Sequence, residues 1–152
     1  MIEFRKMSNN GFNKYVDELV FKIADEYTIS GYCKKEDSIK LAKDIINQYI
    51  PNGLNTQGQY IYDIFNKSNE NVGLIWYGKT GEDEAFICDF LIYEKYRNQG
   101  YGKKAMQLLE NDAKEKGINK ITLHVFGHNK TAITLYEKLG YVAFSMHMGK
   151  NI

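Results

Sequence analysis

Cysteine is scarce. Cys33 and Cys88 are the only two in 152 residues, too few and too far apart for a disulfide framework, so both read as free thiols. Long apolar runs are absent too. The opening "MIEFRKMSNNGF" lacks the roughly 7–15-residue apolar core of a signal peptide. No stretch is long enough to cross a bilayer as a helix. These absences point to the cytoplasm, with no membrane partner. Charge of one sign is missing as well. The formal net charge is +1, and the short basic pairs Lys34–Lys35 and Lys103–Lys104 form no stripe, which disfavours a nucleic-acid surface. The three histidines, His124, His128 and His147, are too dispersed to argue for a metal.

What remains is an ordinary globular composition, 43% hydrophobic and 26% charged. The length suits one domain over residues 1–152 with a real core. Tyrosine is abundant, at 12 residues. Such side chains pack amphipathic surfaces while keeping the hydroxyl wet.

Periodicity orders the chain. "IEF" reads as a short strand. Phe12, Tyr15, Val16, Leu19, Ile23 and Tyr27 recur at helical spacing up to Gly31. Ile39, Ala42, Ile45, Ile46 and Tyr49 mark a second helix, closed by Pro51 and Gly53. "QYIYDIF", "VGLIWYGK" and "EAFICDFLIY" read as strands. The last is the most apolar and is expected at the sheet centre, covered by helices on both faces. Gly73 marks a bulge or a close backbone approach. A helix follows with Ala105, Leu108, Leu109 and Ala113 as its buried stripe, stopped by Gly117. "KITLHVF" is a strand, Ala132, Ile133, Tyr136 and Leu139 belong to a short helix, and "YVAFSMHM" is a final strand. This order predicts an α+β or mixed α/β domain, largely antiparallel, with one parallel crossover late in the chain.

The stretch "RNQGYGKKA", from Arg97 to Ala105, joins a strand to a helix. Main-chain N–H groups entering a helix can bind phosphate. Gly100 and Gly102 permit the turn and leave no side chain in the way. Gln99, Lys103 and Arg97 could reach the outer oxygens, or Arg97 could brace the loop; a plain tight connection is the competing reading. The nucleoside-triphosphate loop is excluded, because no Gly-Lys-Ser/Thr run follows at its spacing. Gly100, Gly102 and Ala105 match dinucleotide-loop spacing, but too little chain follows for that fold, and the next strand carries no acid near its end.

Taken together, the layout resembles the GCN5-related N-acetyltransferase superfamily over about residues 2–148. The signature Arg/Gln-x-x-Gly-x-Gly/Ala appears as Arg97-Asn98-Gln99-Gly100-Tyr101-Gly102, preceded by "DFLIYEKY". Asn129, Tyr136 and Gly140-Tyr141 follow at the family's spacing. One departure is Tyr93, where a valine-x-proline turn is common. The resemblance implies a mostly antiparallel central sheet whose fourth and fifth strands splay apart, flanked by helices. It implies acetyl-CoA as cosubstrate, no metal, and transfer of the acetyl group to a primary amine, either a small molecule or a protein amine. The pantetheine arm would run along Leu91, Ile92 and Tyr93, bonding to the backbone of Leu91 and Tyr93 like an added strand. The pyrophosphate would sit on amides from Gln99 to Lys103. Asn129 and Ala132 would flank the thiol arm.

The chemistry needs an amine that has lost its proton, stabilisation of an oxyanion, and a proton for the departing thiolate. Tyr136 resembles the family's general acid; on periodicity alone it is a core tyrosine packing with Ile133 and Leu139. Asp89 and Glu26 are candidates to take the amine proton or bind its charge, with structural or surface roles as the alternatives. His124, on the fifth strand, titrates in a suitable range. The acids of the first helical region, including Asp17, Glu18, Asp25 and Glu26, lean towards a cationic acceptor. Pairing through the last strand would make a homodimer. A non-catalytic acetyl-CoA sensor or interaction module is the rival class.

Overall fold

The structure, a computed structural model, describes all residues from Met1 to Ile152. It comprises two compact units, one formed by Met1–Asn13 with Ile50–His124 and the other by Lys14–Tyr49 with Val125–Ile152. No helix is long and apolar enough to cross a membrane.

The first unit is built on a five-stranded sheet. Its strands are β1 (Ile2–Lys6), β2 (Gln59–Asn66), β3 (Asn71–Lys79), β4 (Glu84–Ile92) and β5 (Lys120–Leu123), in that spatial order. The first four pair antiparallel and β5 runs parallel to β4. The parallel pair follows from a helical crossover: the helix Tyr101–Glu115 returns the chain to the same end of the sheet. Counting in chain order, α1 is Asn9–Ile29, α2 is Lys35–Tyr49, α3 is Tyr101–Glu115 and α4 is Lys130–Lys138.

The sheet centre differs from the sequence expectation. β3, not β4, is central, and Val72 to Gly78 are all buried. β4 keeps most of its residues half-buried, because β5 leaves it halfway. The β4–β5 ladder runs from Glu84↔Lys120 to Ile87↔Leu123 and ends there, while β4 continues to Ile92. β5 is also shorter than "KITLHVF" suggests. His124, Val125 and Phe126 lie beyond it, so His124 is not a strand residue.

A register break accompanies the parting. Trp76 faces Asp89 and Tyr77 faces Ile87, which leaves Cys88 as the extra residue of a bulge. A second break sets Ile64 against Gly73 and Phe65 against Asn71. Gly73 is glycine for a steric reason: a Cβ there would lie 2.1 Å from the Leu91 carbonyl oxygen.

One face of the sheet carries Tyr60, Tyr77, Ile75, Ile87 and Phe90 by register, and α3 covers it. The helix buries Ala105, Met106, Leu109 and Ala113. Met106 takes the place expected of Leu108, which sits half-buried on the flank of the stripe. A polar clamp crosses this layer. The fully buried Tyr77 donates its hydroxyl to Asp112. Lys116 donates to the other Asp112 oxygen at 2.6 Å and lies 4.8 Å from the Tyr60 ring centre. Burial, reinforced by Asp112, raises the Tyr77 phenol far above its usual range.

In the second unit, α1 buries Tyr15, Leu19, Val20 and Ala24, and α2 buries Ser38, Ala42 and Ile46. The expected last strand does not form: residues 141–152 have no regular secondary structure. "YVAFSMHM" has the alternation of a strand, but alternation becomes a strand only beside a backbone that completes the ladder.

Two outcomes are expected. Gly73→Ala should cost about 2–3 kcal/mol, because its clash is with backbone that cannot swing away; a urea midpoint like that of the wild type would contradict the close approach. The second concerns Cys88. Burial, with the Asp89 charge adding, pushes its thiol from an ordinary 9.0 up to about 12. Between pH 9 and 12 the unfolded chain gives up this proton while the folded chain keeps it, so Cys88 lowers stability as pH rises through that window. The stability of wild type minus that of Cys88→Ala should therefore shrink from pH 9 to pH 11 in urea unfolding. A constant difference would show that the thiol is not so shielded.

Candidate active site

Opening β4 from β5 exposes backbone that a sheet interior would hide. Which β4 residues face the opening follows from hydrogen bonding. Tyr93 donates its N–H to the Val72 carbonyl at 2.9 Å. In an antiparallel ladder alternate residues turn both backbone groups to the same neighbour, so Tyr93 and Leu91 face β3. Phe90 and Ile92 face the opening. Arg97 corroborates the phase: its Nε donates to the Ile92 carbonyl at 3.0 Å. The expectation that Leu91 and Tyr93 offer their backbone is thus corrected by one position. The bulge at Cys88 shifts the alternation, and nothing in "EAFICDFLIY" marks it. Phe90, whose backbone turns to the opening, was not among the candidates from the sequence.

Beyond β4 the chain makes a short 3₁₀ turn, Glu94–Tyr96, and then the loop from Arg97 to Gly100. Two of its residues adopt left-handed backbone, Asn98 with φ 60° and Gly100 with φ 81°. Gly100 is the N-cap of α3 and supplies no side-chain cap. Lys104 donates to the Gly100 carbonyl at 3.2 Å and begins the helical ladder. The N–H groups of Tyr101, Gly102 and Lys103 precede it in the first turn, where a helix has no internal acceptors. A Cβ at Gly100 would meet nothing within 4 Å, so no protein atom crowds the N-cap itself. The three N–H groups form a cradle suited to a phosphate.

The polar side chains of the loop serve the loop itself. Arg97 braces the end of β4, as described, and Gln99 Nε2 donates to the Lys95 carbonyl at 3.0 Å. Lys103 is exposed in the first helical turn, and it can offer charge to a bound anion. Asp89 follows the bulge and projects to the face with Trp76, opposite the face that α3 covers.

In the second unit, Asn129 is the N-cap of α4, and its Oδ1 accepts from the Ala132 N–H at 3.2 Å. Asn129 therefore has a helix-starting role whatever else it does. Tyr136 lies two turns on. α4 buries none of its residues fully, and Ile133, Tyr136 and Leu139 are each half-exposed, which departs from a core tyrosine. Its ring meets that of Tyr141 edge-on, 5.7 Å between centres.

Glu26 sits on α1 with one carboxylate oxygen inaccessible and lacking a well-aligned hydrogen-bond donor. That oxygen is 2.9 Å from His128 Nε2. Aromatic rings gather beside the pair: Tyr27 is edge-on to Tyr32 and Phe126 at 5.2 and 5.6 Å, and Phe126 stacks on His128 at 5.7 Å. Burial raises the Tyr27 phenol. The pairing of His128 with Glu26 spans about a hundred positions and has no local signal in the sequence.

An opened strand beside a glycine-capped helix start is the arrangement that the sequence resemblance anticipated, and comparison with known proteins agrees. The model of the Acetyltransferase (GNAT) family matches residues 20–141. The uncharacterized N-acetyltransferase YycN of Bacillus subtilis is 34% identical over 96% of both chains. The crystal structure of that putative acetyltransferase superposes with a TM-score of 0.94 at 33% identity, covering 100% of this chain and 99% of the other. The uncharacterized N-acetyltransferase YdgE of the same organism is 31% identical over 96% of this chain and 95% of its own. At 18% identity, which speaks for the fold alone, a GNAT family acetyltransferase from Elizabethkingia anophelis with acetyl-CoA bound matches with a TM-score of 0.64, over 95% of this chain and 78% of that one. The chain belongs to the GNAT family of acetyltransferases.

Proposed function

We propose that this acetyltransferase moves the acetyl group of acetyl-CoA directly to a primary amine, with both substrates bound together and no covalent enzyme intermediate. The observation that carries the proposal is the β4 edge left open beyond Ile87, running into the Gly100-capped start of α3. A pantetheine arm has amide groups spaced like a peptide and can pair with Phe90 and Ile92. The attached diphosphate then meets the N–H groups of Tyr101, Gly102 and Lys103, where the helix dipole favours negative charge. Arg97 and Gln99 hold the loop in shape, and Lys103 adds a positive charge.

The remaining residues divide the proton work. Asp89 receives the proton that the amine must lose before it attacks. Tyr136 gives a proton to the departing thiolate, which is a stronger base away from water than in it. Glu26, with its under-bonded oxygen and the rings of Tyr27, Tyr32 and Phe126 nearby, suits a cationic acceptor, since carboxylate and aromatic faces both attract a cation. Holding amine and thioester side by side supplies much of the rate.

The decisive experiment measures thiol release from acetyl-CoA with a panel of amines. Release that depends on one amine class supports transfer; CoA binding without amine-dependent release points to a sensor and overturns it. Tyr136→Phe should lower kcat about 100-fold or more while the CoA Kd in calorimetry stays within about twofold; an unchanged rate across pH would remove Tyr136 from the chemistry. Gly102→Val places a branched side chain in the first turn of α3, and CoA affinity should fall by about tenfold or more with the helical circular dichroism retained. Unaltered CoA affinity would mean that the diphosphate does not lie there.

A further inference from the structure

The turn between β2 and β3, residues 67–70, is distant in sequence from the loop that follows β4. Asn66, the last residue of β2, connects the two. It is buried, at 7% exposure, and its side-chain amide uses its whole bonding capacity. Oδ1 accepts from the N–H groups of Ser68 and Glu70, each at 3.0 Å. Those groups can only donate, so they fix the oxygen side of the amide and leave Nδ2 on the other. Nδ2 donates to Glu70 Oε2 at 2.9 Å and to the Tyr101 hydroxyl at 3.4 Å.

Glu70 extends the connection. Its carboxyl is held below the ordinary carboxylate value by the Asn66 bond, with the Tyr96 hydroxyl and the Lys95 charge adding and burial opposing. Tyr96 is buried, and its ring meets that of Tyr101 edge-on, 6.2 Å between centres. Asn66, Glu70, Tyr96 and Tyr101 therefore close a ring of contacts. Tyr96 immediately precedes the loop from Arg97 to Gly100, and Tyr101 immediately follows it. The turn is itself pinned from β1, where Arg5 Nη1 donates to Asn69 Oδ1 at 2.7 Å. Within the loop, Arg97 and Gln99 bond to the carbonyls of Ile92 and Lys95, which precede it. The ring is what spans the loop from its start to its end. A short segment with left-handed backbone at Asn98 and Gly100 needs such support to keep one shape.

We propose that Asn66 and Glu70 are positioning residues for the phosphate cradle: by tying Tyr96 to Tyr101 they set the first turn of α3 relative to the end of β4. The proposal rests on the acetyl-CoA reading of that cradle. Both residues act through the two tyrosines. Donors already in place spare the ligand the cost of ordering them, and the gain falls on the diphosphate half of CoA.

Asn66→Asp is the informative variant. It keeps the acceptor for the Ser68 and Glu70 N–H groups but loses both donors and sets a second carboxylate beside Glu70. The CoA Kd in calorimetry should rise about tenfold. The affinity for pantetheine, which lacks the diphosphate, should change less than about twofold in a magnetic-resonance titration. Without any ligand, hydrogen exchange should quicken at the Arg97 and Lys104 amides, which donate to the Glu94 and Gly100 carbonyls. Tyr101→Phe keeps the ring contact and removes only the hydroxyl; it guards against an Asn66 variant that fails to fold, and should weaken CoA about threefold. If wild type binds CoA and both variants bind it equally well, this inference alone is overturned. Equal losses for CoA and pantetheine overturn it too, because the role is then general stability. A wild type without CoA affinity overturns the cradle reading and this inference with it.

Discussion

The parting of β4 from β5 is the constraint from which the site follows. Parallel strands that began side by side at Glu84 and Lys120 stop pairing after Ile87 and Leu123. Keeping β4 straight beyond that point would leave backbone N–H and C=O groups bare in a sheet, which is costly unless something pairs with them. The fold partly answers this with the molecule's own side chain, as Arg97 donates to the Ile92 carbonyl. What remains open is a strand-shaped vacancy in hydrogen bonding, and a ligand with peptide-like amides fits it.

Holding the opening in place requires the other edge of β4 and the helix behind it to be rigid. Gly73 lets β3 approach β4 closely enough that any larger residue would strike the Leu91 carbonyl. The bulge at Cys88 bends the strand and resets which residues face outward. Behind the sheet, the Tyr77–Asp112–Lys116 clamp ties α3 to β3, and the buried stripe from Ala105 to Ala113 packs the same layer. The first turn of α3 is therefore fixed relative to the β4 edge. That matters for the proposed cosubstrate, whose diphosphate and thiol arm are covalently joined and would meet both features at once.

Much of the architecture was legible from local pattern. The helical stripes, the β2, β3 and β4 segments and the helix starting at Tyr101 all follow from periodicity and glycine punctuation. The motif from Arg97 to Gly102 was legible because it depends on backbone shape: φ is positive at Asn98 and Gly100, residue types that tolerate it. The errors came from long-range effects. β4 looked central because it is apolar, yet β3 is central because it has a full-length neighbour on each side. The resemblance set the ligand arm on the backbone of Leu91 and Tyr93, yet the ladder turns both towards β3. The strand expected at "YVAFSMHM" had its pattern but no partner within the chain.

The sequence by itself determined which segments become helix or strand and where the glycine-capped start of α3 falls. Those properties depend on residues within a few positions of one another. Only the tertiary structure decided which β4 residues face the opening, that Arg97 and Gln99 serve the loop, and that His128 pairs with Glu26. Such facts rest on contacts between distant parts of the chain, and their geometry exists only after the strands have chosen their neighbours and register.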